Sequence, residues 1–482
     1  APTNITVAAM DATNGQGLSS NSNLKFDGGT LYSQGTFTRN IGTAAGEMQF
    51  LAPAANTAQF SGGFLGGDSK LTVNWSGTPI WGSTAGFIDT RDGLMLNGSQ
   101  ARAQGATGSI ALSEVDLAGS FSLGTAAGAA AAPTVNTTAN SSTVNFTTGT
   151  TAGLTVGQTI SGNSIPSGAY IVSINSATQV TISSNVGTGQ TGVAATVDAN
   201  ALRPIRVDDN ANTGTDFATI SGIISGNAGT GIRKLGTGIL ELNGLNTYSG
   251  ETSVYQGTLA VNSLGSSSSP GLGTSVGTST SANANTNAIT LGNSGTGAGI
   301  LQYIGPGETS DRKIRLNTTT GTTQIHADGA GALVLSNVAN DMVAGAKTLS
   351  LRGTNSAGNM ITSQLSDNGG ALAVTVDGGA TWILTNPSNN YTGVTTVGAG
   401  ALGIGDNAAL GTGTLQLGAG SFFAYGADRT IANAVQFSSA TSVGFIGDYS
   451  VAFSSPLVQQ QNSTTAAVLS NNVASGKALT FS

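Results

Sequence analysis

The chain lacks cysteine, contains a single histidine and carries few charges. Only 8% of its 482 residues are charged, against roughly 25% in a typical globular protein. The absence of cysteine excludes disulfide bonds, thiolate metal sites and thiol catalysis. The single histidine, His326, has no second imidazole with which to share a metal ion, and its neighbour Asp328 is its only nearby carboxylate in the sequence. An isolated histidine is more often structural or solvated than catalytic.

The charges that are present form no cluster. The 16 basic and 23 acidic residues are spread thinly along the chain, whereas a nucleic-acid groove needs clustered lysine and arginine. No apolar run approaches the roughly 18 residues that a membrane-spanning helix requires. We therefore expect no nucleic-acid partner and no transmembrane segment, and we interpret the chain as a secreted, mildly acidic surface protein.

What the chain does have is glycine, with 72 residues, and short apolar runs that alternate with polar residues. The clearest example is residues 231–261, and a weaker copy follows at 382–404 with Tyr391 in the place of Tyr248. Recurrent short strands of this kind indicate a coil of strands stacked along one axis. No segment keeps a period of 3.6. The sequence predicts an all-β chain that forms a parallel β-helix, or β-solenoid.

The residue types of the repeat suit such a coil. Leu240 and Leu242 point the same way on a strand, so both can fill the interior. Gly236, Gly238, Gly250 and Gly257 are expected to form corners with positive φ, and the Asn246 side chain can bind neighbouring backbone. The residues that we expect to build the repeats are Gly236, Gly238, Leu240, Leu242, Asn246, Tyr248, Gly250, Gly257, Leu259, Tyr391 and Gly393.

A stretch of different character interrupts the coil. An Ala/Gly run from Gly124 to Pro133 reads as a linker, and β-branched strands separated by turns follow over roughly 134–198. We interpret residues 124–202 as a small inserted β-module with its linkers, between solenoid parts at 1–123 and 203–482. Four arginines in recurring Arg-x-Ile phrases are expected to bind loop carbonyls at a repeated corner: Arg39, Arg203, Arg312 and Arg429.

The 231–261 phrase resembles the autotransporter-associated β-strand repeat of passenger domains and related bacterial surface proteins. The resemblance is specific at Gly236, Leu240, Asn246, Tyr248 and Gly257, among others, and partial at 382–404. It implies a right-handed parallel β-helix displayed outside a Gram-negative-type cell.

Candidate ligand-binding residues lie in the first hundred positions. Trp75 and Trp81 belong to the most aromatic stretch, and exposed aromatic faces suit sugar stacking, although stacking inside a coil is commoner. Asp89 and Asp92 are paired carboxylates of the kind that act as acid and base on glycans. The alternative for this pair is a turn in which Arg91 bridges both carboxylates.

Asp208 and Asp209 are the weak candidates for a metal, since carboxylate oxygens are ligands that Ca²⁺ prefers. Adjacent residues of an extended strand point to opposite sides, which argues against both binding one ion. We otherwise expect no cofactor.

Three functions remain open. The leading hypothesis is a non-enzymatic structural protein that self-associates into a fibre, sheath or surface layer, because uncapped strand edges template pairing. The second is an adhesin that binds a surface glycan or host surface through its loops or the inserted module. The third is a glycan lyase or hydrolase that uses Asp89 and Asp92.

Overall fold

The computed structural model describes thirteen segments of the chain and contains no helix within them. The described residues are 21–52, 60, 62–97, 114–125, 133–166, 169–209, 216–227, 229–266, 274–278, 288–438, 442–455, 457–459 and 468–481. They form two compact units. The first includes the described residues up to Leu259 and 274–278, and the second includes 260–266 and the residues from Ala288 onward. Of the expected linker from Gly124 to Pro133, residues 126–132 lie outside the described residues.

The strands are short because glycine and asparagine turns interrupt them. Up to residue 261 they are β1 (Leu24–Phe26), β2 (Gly29–Thr38), β3 (Met48–Phe50), β4 (Gly62–Asn74), β5 (Leu94–Leu96), β6 (Glu114–Leu117), β7 (Phe121–Ser122), β8 (Thr134–Thr137), β9 (Thr143–Phe146), β10 (Gln158–Gly162), β11 (Ile171–Ser176), β12 (Gln179–Ile182), β13 (Gln190–Arg206), β14 (Phe217–Ile220), β15 (Ile224–Ser225), β16 (Thr230–Leu235), β17 (Ile239–Leu242), β18 (Thr252–Val254) and β19 (Gly257–Val261).

The first unit is a parallel β-solenoid. Strands one turn of the coil apart lie side by side in parallel, as in the pairs β2–β4, β4–β6, β6–β14, β14–β17 and β16–β18. Alternation decides which side chains enter the coil. Leu240 and Leu242 are fully buried, and Glu241 between them faces outward.

Residues 134–197 form a different substructure within the same unit. Here β8, β9, β11 and β12 pair antiparallel with one another, and β13 pairs antiparallel with both β8 and β10. We call this substructure the module. It has its own apolar core, which contains Val135, Val144, Phe146, Ile160, Ile171, Val180 and Ile182.

In the second unit the described strands are also parallel. They are β20 (Ile289–Leu291), β21 (Gly299–Tyr303), β22 (Glu308–Ser310), β23 (Ile314–Leu316), β24 (Thr322–Ala327), β25 (Leu333–Leu335), β26 (Val338–Ala339), β27 (Lys347–Gly353), β28 (Asn359–Ile361), β29 (Leu372–Val376), β30 (Thr381–Leu384), β31 (Thr395–Val397), β32 (Ala401–Ile404), β33 (Leu415–Leu417), β34 (Ser421–Ala424), β35 (Arg429–Ile431), β36 (Val435–Phe437), β37 (Ser442–Gly447), β38 (Val451–Phe453), β39 (Leu457–Gln459), β40 (Val468–Val473) and β41 (Leu479–Phe481).

Successive coils of this unit stack in consistent register. One ladder runs β24–β27–β29–β31–β33–β36, a second runs β25–β28–β30–β32–β34–β37, and a third runs β35–β38–β41. Three ladders facing a common interior define a parallel β-helix, as the sequence predicted.

The glycines of the repeat serve two different purposes. Gly236 and Gly257 have φ of 77° and 71°, so they form corners that favour glycine. Gly238 and Gly250 do not have positive φ, which corrects the expectation that all four form such corners. They are needed for close approach, since a Cβ on Gly250 would lie 2.3 Å from the Thr230 carbonyl.

Buried asparagines join neighbouring coils. The Oδ1 of Asn389 accepts from Leu365 N at 2.7 Å, and its Nδ2 donates to Ala409 O at 2.7 Å. Asn246 does the same with Ile224 N and Ser275 O, both at 2.7 Å. Asn359 does so with Leu333 N and Thr381 O, both at 2.9 Å. Each carboxamide therefore satisfies one backbone group on the coil before it and one on the coil after it.

Replacing such an asparagine should be costly. Asn389→Ala leaves a buried N–H and a buried C=O without partners, each worth about 1–3 kcal/mol. We expect its urea unfolding midpoint to fall clearly below that of Asn390→Ala, which removes an exposed carboxamide from the adjacent position. Equal midpoints for the two variants would contradict the bridging role of Asn389.

Candidate functional site

The two copies of the repeat share their strand pairing and the contact of their tyrosine. Strand pairing matches Ile232, Arg233 and Lys234 to Thr252, Ser253 and Val254 in the first copy, and it matches Val374, Thr375 and Val376 to Thr395, Thr396 and Val397 in the second. Tyr248 and Tyr391 are both fully buried. Their hydroxyls lie 2.9 Å from Thr252 Oγ1 and 2.7 Å from Thr395 Oγ1.

This correspondence isolates three positions at which the first copy departs from the second. Arg233 stands where the second copy has Thr375, Lys234 where it has Val376, and Tyr255 where it has Gly398. In the second copy Thr375 faces outward and Val376 faces the interior. Two cations and an aromatic ring thus replace small or apolar residues in a chain that is poor in charge.

Arg233 and Tyr255 contact the module. The Arg233 guanidinium carbon lies 3.6 Å from the centre of the Tyr170 ring, and the rings of Tyr170 and Tyr255 meet edge to face at 5.5 Å. Tyr170 belongs to the module, whereas the other two residues belong to the solenoid. We call this contact the latch. Only 4% of Arg233 and 5% of Tyr170 is exposed to solvent.

The latch explains why buried nitrogens of Arg233 lack hydrogen-bond acceptors. Within the described residues, Nε and Nη1 of Arg233 are buried and donate no hydrogen bond. The π face of Tyr170 takes the place of an acceptor, and such contacts gain strength when they are desolvated. Burial lowers the pKa of Arg233 and raises that of Tyr170.

Backbone also fixes the module to the solenoid. Strand β13 is continuous: residues 193–197 pair inside the module, and residues 201–206 pair with β16 of the solenoid. The structure thus has a strand, not a linker, at the module's C-terminal boundary. Val156 N donates to Thr90 O at 3.1 Å. A Cβ on Gly157 would lie 1.8 Å from Leu202 O, so module and solenoid touch there.

Lys234 points into the interior behind the latch. It is fully buried, and its Nζ donates to the carbonyls of Leu235, Gly236 and Gln256 at 3.0, 2.7 and 3.1 Å. Burial lowers the pKa of Lys234 to about 7, and the nearby carboxylate of Asp208 opposes that shift. Lys234 therefore closes the corner that Gly236 and Gly257 form.

Trp75 and Trp81 lie inside the solenoid. They are 5% and 1% exposed, and their indole nitrogens donate to Ser120 O at 2.8 Å and Asp89 O at 3.0 Å. Both rings pack edge-on against Phe87. A sugar ring needs an uncovered aromatic face, so these two tryptophans offer no stacking platform.

Asp89 and Asp92 accept hydrogen bonds within the turn that contains them. Asp89 Oδ1 accepts from the backbone N and the Nε of Arg91 at 2.9 and 2.8 Å, and Asp92 Oδ1 accepts from Gly93 N at 2.8 Å. Asp92 is fully buried. A carboxylate that is closed off from solvent cannot deliver a proton to a polysaccharide in this arrangement.

Asp208 and Asp209 do not converge. Asp208 Oδ2 accepts from Arg206 Nε at 2.7 Å, whereas Asp209 Oδ1 accepts from Asp216 N at 3.3 Å. Among the described residues, no group of three or more acidic or histidine side chains is placed to hold a metal ion. His326 bonds to Gln324 Oε1 at 2.8 Å, and burial lowers its pKa.

The four recurring arginines bind backbone carbonyls, as expected from the sequence. Arg39 donates to Ser22 O, Arg203 to Leu123 O and Thr125 O, Arg312 to Leu264 O, and Arg429 to Tyr425 O, at 2.7–3.3 Å. Their role in the described residues is structural.

Sequence reasoning missed the latch residues Tyr170, Arg233 and Tyr255, and it missed the buried Lys234 behind them. One signal was available. The adjacent cations Arg233 and Lys234 occupy positions where the second copy of the repeat has Thr375 and Val376.

Comparison with known proteins agrees with the repeat geometry. The passenger-associated-transport-repeat family matches residues 232–261 and 374–404. A curated relative, the adhesin BmaC autotransporter of Brucella suis biovar 1 (strain 1330), is 32% identical over 128 residues. The chain therefore contains two segments that match the passenger-associated-transport repeat. The aligned part makes up 26% of this chain and only 4% of the Brucella protein.

Two solved structures were also matched. The tailspike protein gp49 of Pseudomonas phage LKA1 is 12% identical with a TM-score of 0.28, and 86% of this chain aligns with 73% of gp49. The Gp54 tailspike of Acinetobacter baumannii bacteriophage AP22 is 9% identical with a TM-score of 0.19, over 85% of this chain and 71% of Gp54.

The repeats and the adhesin relative indicate a bacterial protein of the cell surface or extracellular space. In the part of the chain that the structure describes, no helix is long and apolar enough to cross a membrane.

The latch predicts how the module is held. Arg233→Met removes the cation but keeps an apolar chain of similar length, and the lost contact is worth about 2 kcal/mol when desolvated. We expect hydrogen exchange at the Val156 amide, which bonds across to Thr90, to quicken at least tenfold. Arg352→Met is the control, because Arg352 forms a half-exposed ion pair with Asp377. Unchanged exchange at Val156 would contradict the latch.

The lowered pKa of Lys234 predicts that the free energy of unfolding depends on pH. Because its pKa is lowered from an ordinary 10.5 to about 7, the unfolded chain binds more protons than the folded chain between those pH values. The free energy of unfolding should therefore rise with pH across that window. Lys234→Met should lose this rise, and urea unfolding of both proteins at pH 6.5, 8 and 9.5 measures it. Parallel pH profiles would show that Lys234 does not titrate there.

Proposed function

We propose that the chain is part of a bacterial surface passenger in which the solenoid is a non-enzymatic support and the module is the adhesive element. The observation that carries this proposal is the rigid docking of the module. The latch, the continuous strand β13 and the Val156–Thr90 bond join it to the solenoid at separate points.

Rigid docking suits adhesion for a physical reason. Binding costs conformational freedom, and a surface that is already fixed loses less of it on contact with a ligand. The solenoid supplies the fixed support, because its interior is filled by side chains and its coils are bonded to one another. The module is the one described part that departs from the coil, and insertions of this kind are where binding residues often lie.

The name of the Brucella relative supports this proposal without deciding it. That protein is an adhesin, but this chain spans 4% of its length. The docking geometry therefore carries the proposal. The enzymatic alternative has weaker support, because Asp89 and Asp92 are held in a turn and Asp92 is buried.

The test compares beads coated with the chain and beads coated with a variant in which a short Gly-Ser loop replaces residues 134–197. We expect at least a tenfold loss of bead attachment to epithelial monolayers or bacterial lawns without the module. The control is an unchanged far-UV circular dichroism signal per residue of the solenoid. Equal attachment by both beads would refute the adhesive role of the module.

Self-association into a fibre or layer is the second candidate. Val468, Leu469 and Phe481, on the last described strands β40 and β41, are 57%, 40% and 37% exposed. Among the described residues, β40 and β41 each pair with a neighbouring strand on one side only. Their apolar side chains form a surface that another copy can cover. Electron microscopy over a concentration series tests this candidate. Ordered filaments that disappear in Leu469→Lys would support it, and single particles at every concentration would refute it.

A further inference from the structure

The outer face of the module carries a row of carboxamides. Asn136 pairs in register with Asn145, and Asn145 pairs with Gln179, so the three side chains cross β8, β9 and β12 side by side. Asn175 on β11 extends the row. All four side chains are half-exposed. The alternate residues of these strands enter the module core: Val135, Val144 and Val180.

Hydrogen bonds hold the row in one arrangement. Asn175 Nδ2 donates to Gln179 Oε1 at 3.2 Å and to Thr181 Oγ1 at 2.9 Å, and Gln179 Nε2 donates to Asn145 Oδ1 at 2.8 Å. Ser173 Oγ donates to Asn175 Oδ1 at 2.7 Å. Every bond fixes which end of each carboxamide donates. We call Asn136, Asn145, Asn175 and Gln179 the amide row.

The amide row ends in unused donors. Asn145 Oδ1 is occupied by Gln179, and Asn136 Oδ1 accepts from Gly192 N at 2.8 Å. In the described part of the chain neither Nδ2 group donates to a protein atom. Register partners on antiparallel strands have Cβ atoms about 5 Å apart. Asn136 and Asn145 are such partners, so two side chains with an undonated N–H₂ group stand side by side on the half-exposed face.

The absence of charged residues in the module restricts the class of ligand that it can bind. The sequence has no charged residue between Asp116 and Asp198, an interval that contains almost the whole module. Anionic ligands such as sialylated or sulfated glycans are recognised through charge-assisted bonds to arginine or lysine, which this face lacks. Its complement is a neutral molecule with many hydroxyl groups, each able to accept from Asn136 or Asn145.

We propose that the amide row binds a neutral polysaccharide. This inference rests on the proposed function, in which the module is the adhesive element. Neutral hydrogen bonds contribute only about 0.5–1.5 kcal/mol each, so a single sugar binds weakly. A polymer gains affinity because many chains on one cell surface engage repeated units together. Binding that uses no ion pair is also insensitive to salt.

The experiment uses the full chain on an array of neutral hexose and N-acetylhexosamine oligosaccharides printed beside sialylated, sulfated and uronic-acid oligosaccharides. We expect signal on neutral glycans that is unchanged between about 0.05 and 1 M NaCl. The signal of the double variant Asn145→Ala/Gln179→Ala on neutral glycans should be at least tenfold lower than that of the unchanged chain. Asn145→Asp is the second variant, because it keeps the shape and removes the donor. Asn163→Ala is the matched control, since Asn163 is exposed on a turn of the same module outside the amide row.

The outcomes separate this inference from the proposed function. Binding to neutral glycans that Asn145→Asp weakens and Asn163→Ala leaves intact supports the inference. Binding only to anionic glycans, or neutral binding that survives both row variants, overturns it. In either of those cases, loss of bead attachment on removal of residues 134–197 would still uphold the module as the adhesive element. Equal thermal midpoints of the variants show that the module remains folded.

Discussion

The structure depends on a side-chain carboxamide that bonds to the backbone of two other coils. A coil must turn at its corners, where the strand ladder breaks and backbone groups lose their partners. Asn246, Asn359 and Asn389 supply those partners from inside, one acceptor and one donor each. Charged side chains would carry a large desolvation cost at such positions. The same requirement is consistent with the shortage of charge and the abundance of small polar residues in the chain.

The repeat serves as a frame on which a few positions are free to change. Its contacts recur in both copies, down to the tyrosine hydroxyl and its threonine partner. Arg233, Lys234 and Tyr255 depart from the second copy, and two of them contact the module directly. A uniform coil thereby acquires one specific attachment point without disturbing its ladder. Residues that hold the module and residues that stabilise the coil are therefore different residues, although they are neighbours in the chain.

Much of the coil follows from the sequence, because burial in a strand has a period of two. Leu240, Leu242 and Leu259 lie inside as predicted, and the arginines reach carbonyls as predicted. The latch could not be predicted. Tyr170 and Arg233 are far apart in the chain, and outward residues have no periodicity that pairs them. Gly238 and Gly250 show a related limit, since a glycine signals either a corner or a close approach, and only the neighbouring coil decides which.

Bonding between the coils passes through buried carboxamides at their corners. Hydrogen exchange of the native chain tests it most directly at the amides of Ile224 and Leu365, which donate to Asn246 and Asn389. Both amides should exchange as slowly as those of the neighbouring strands, because opening them requires two coils to separate. Exchange at the rate of exposed turns would contradict the account, since the corners would then be open to water and the module would have no rigid support.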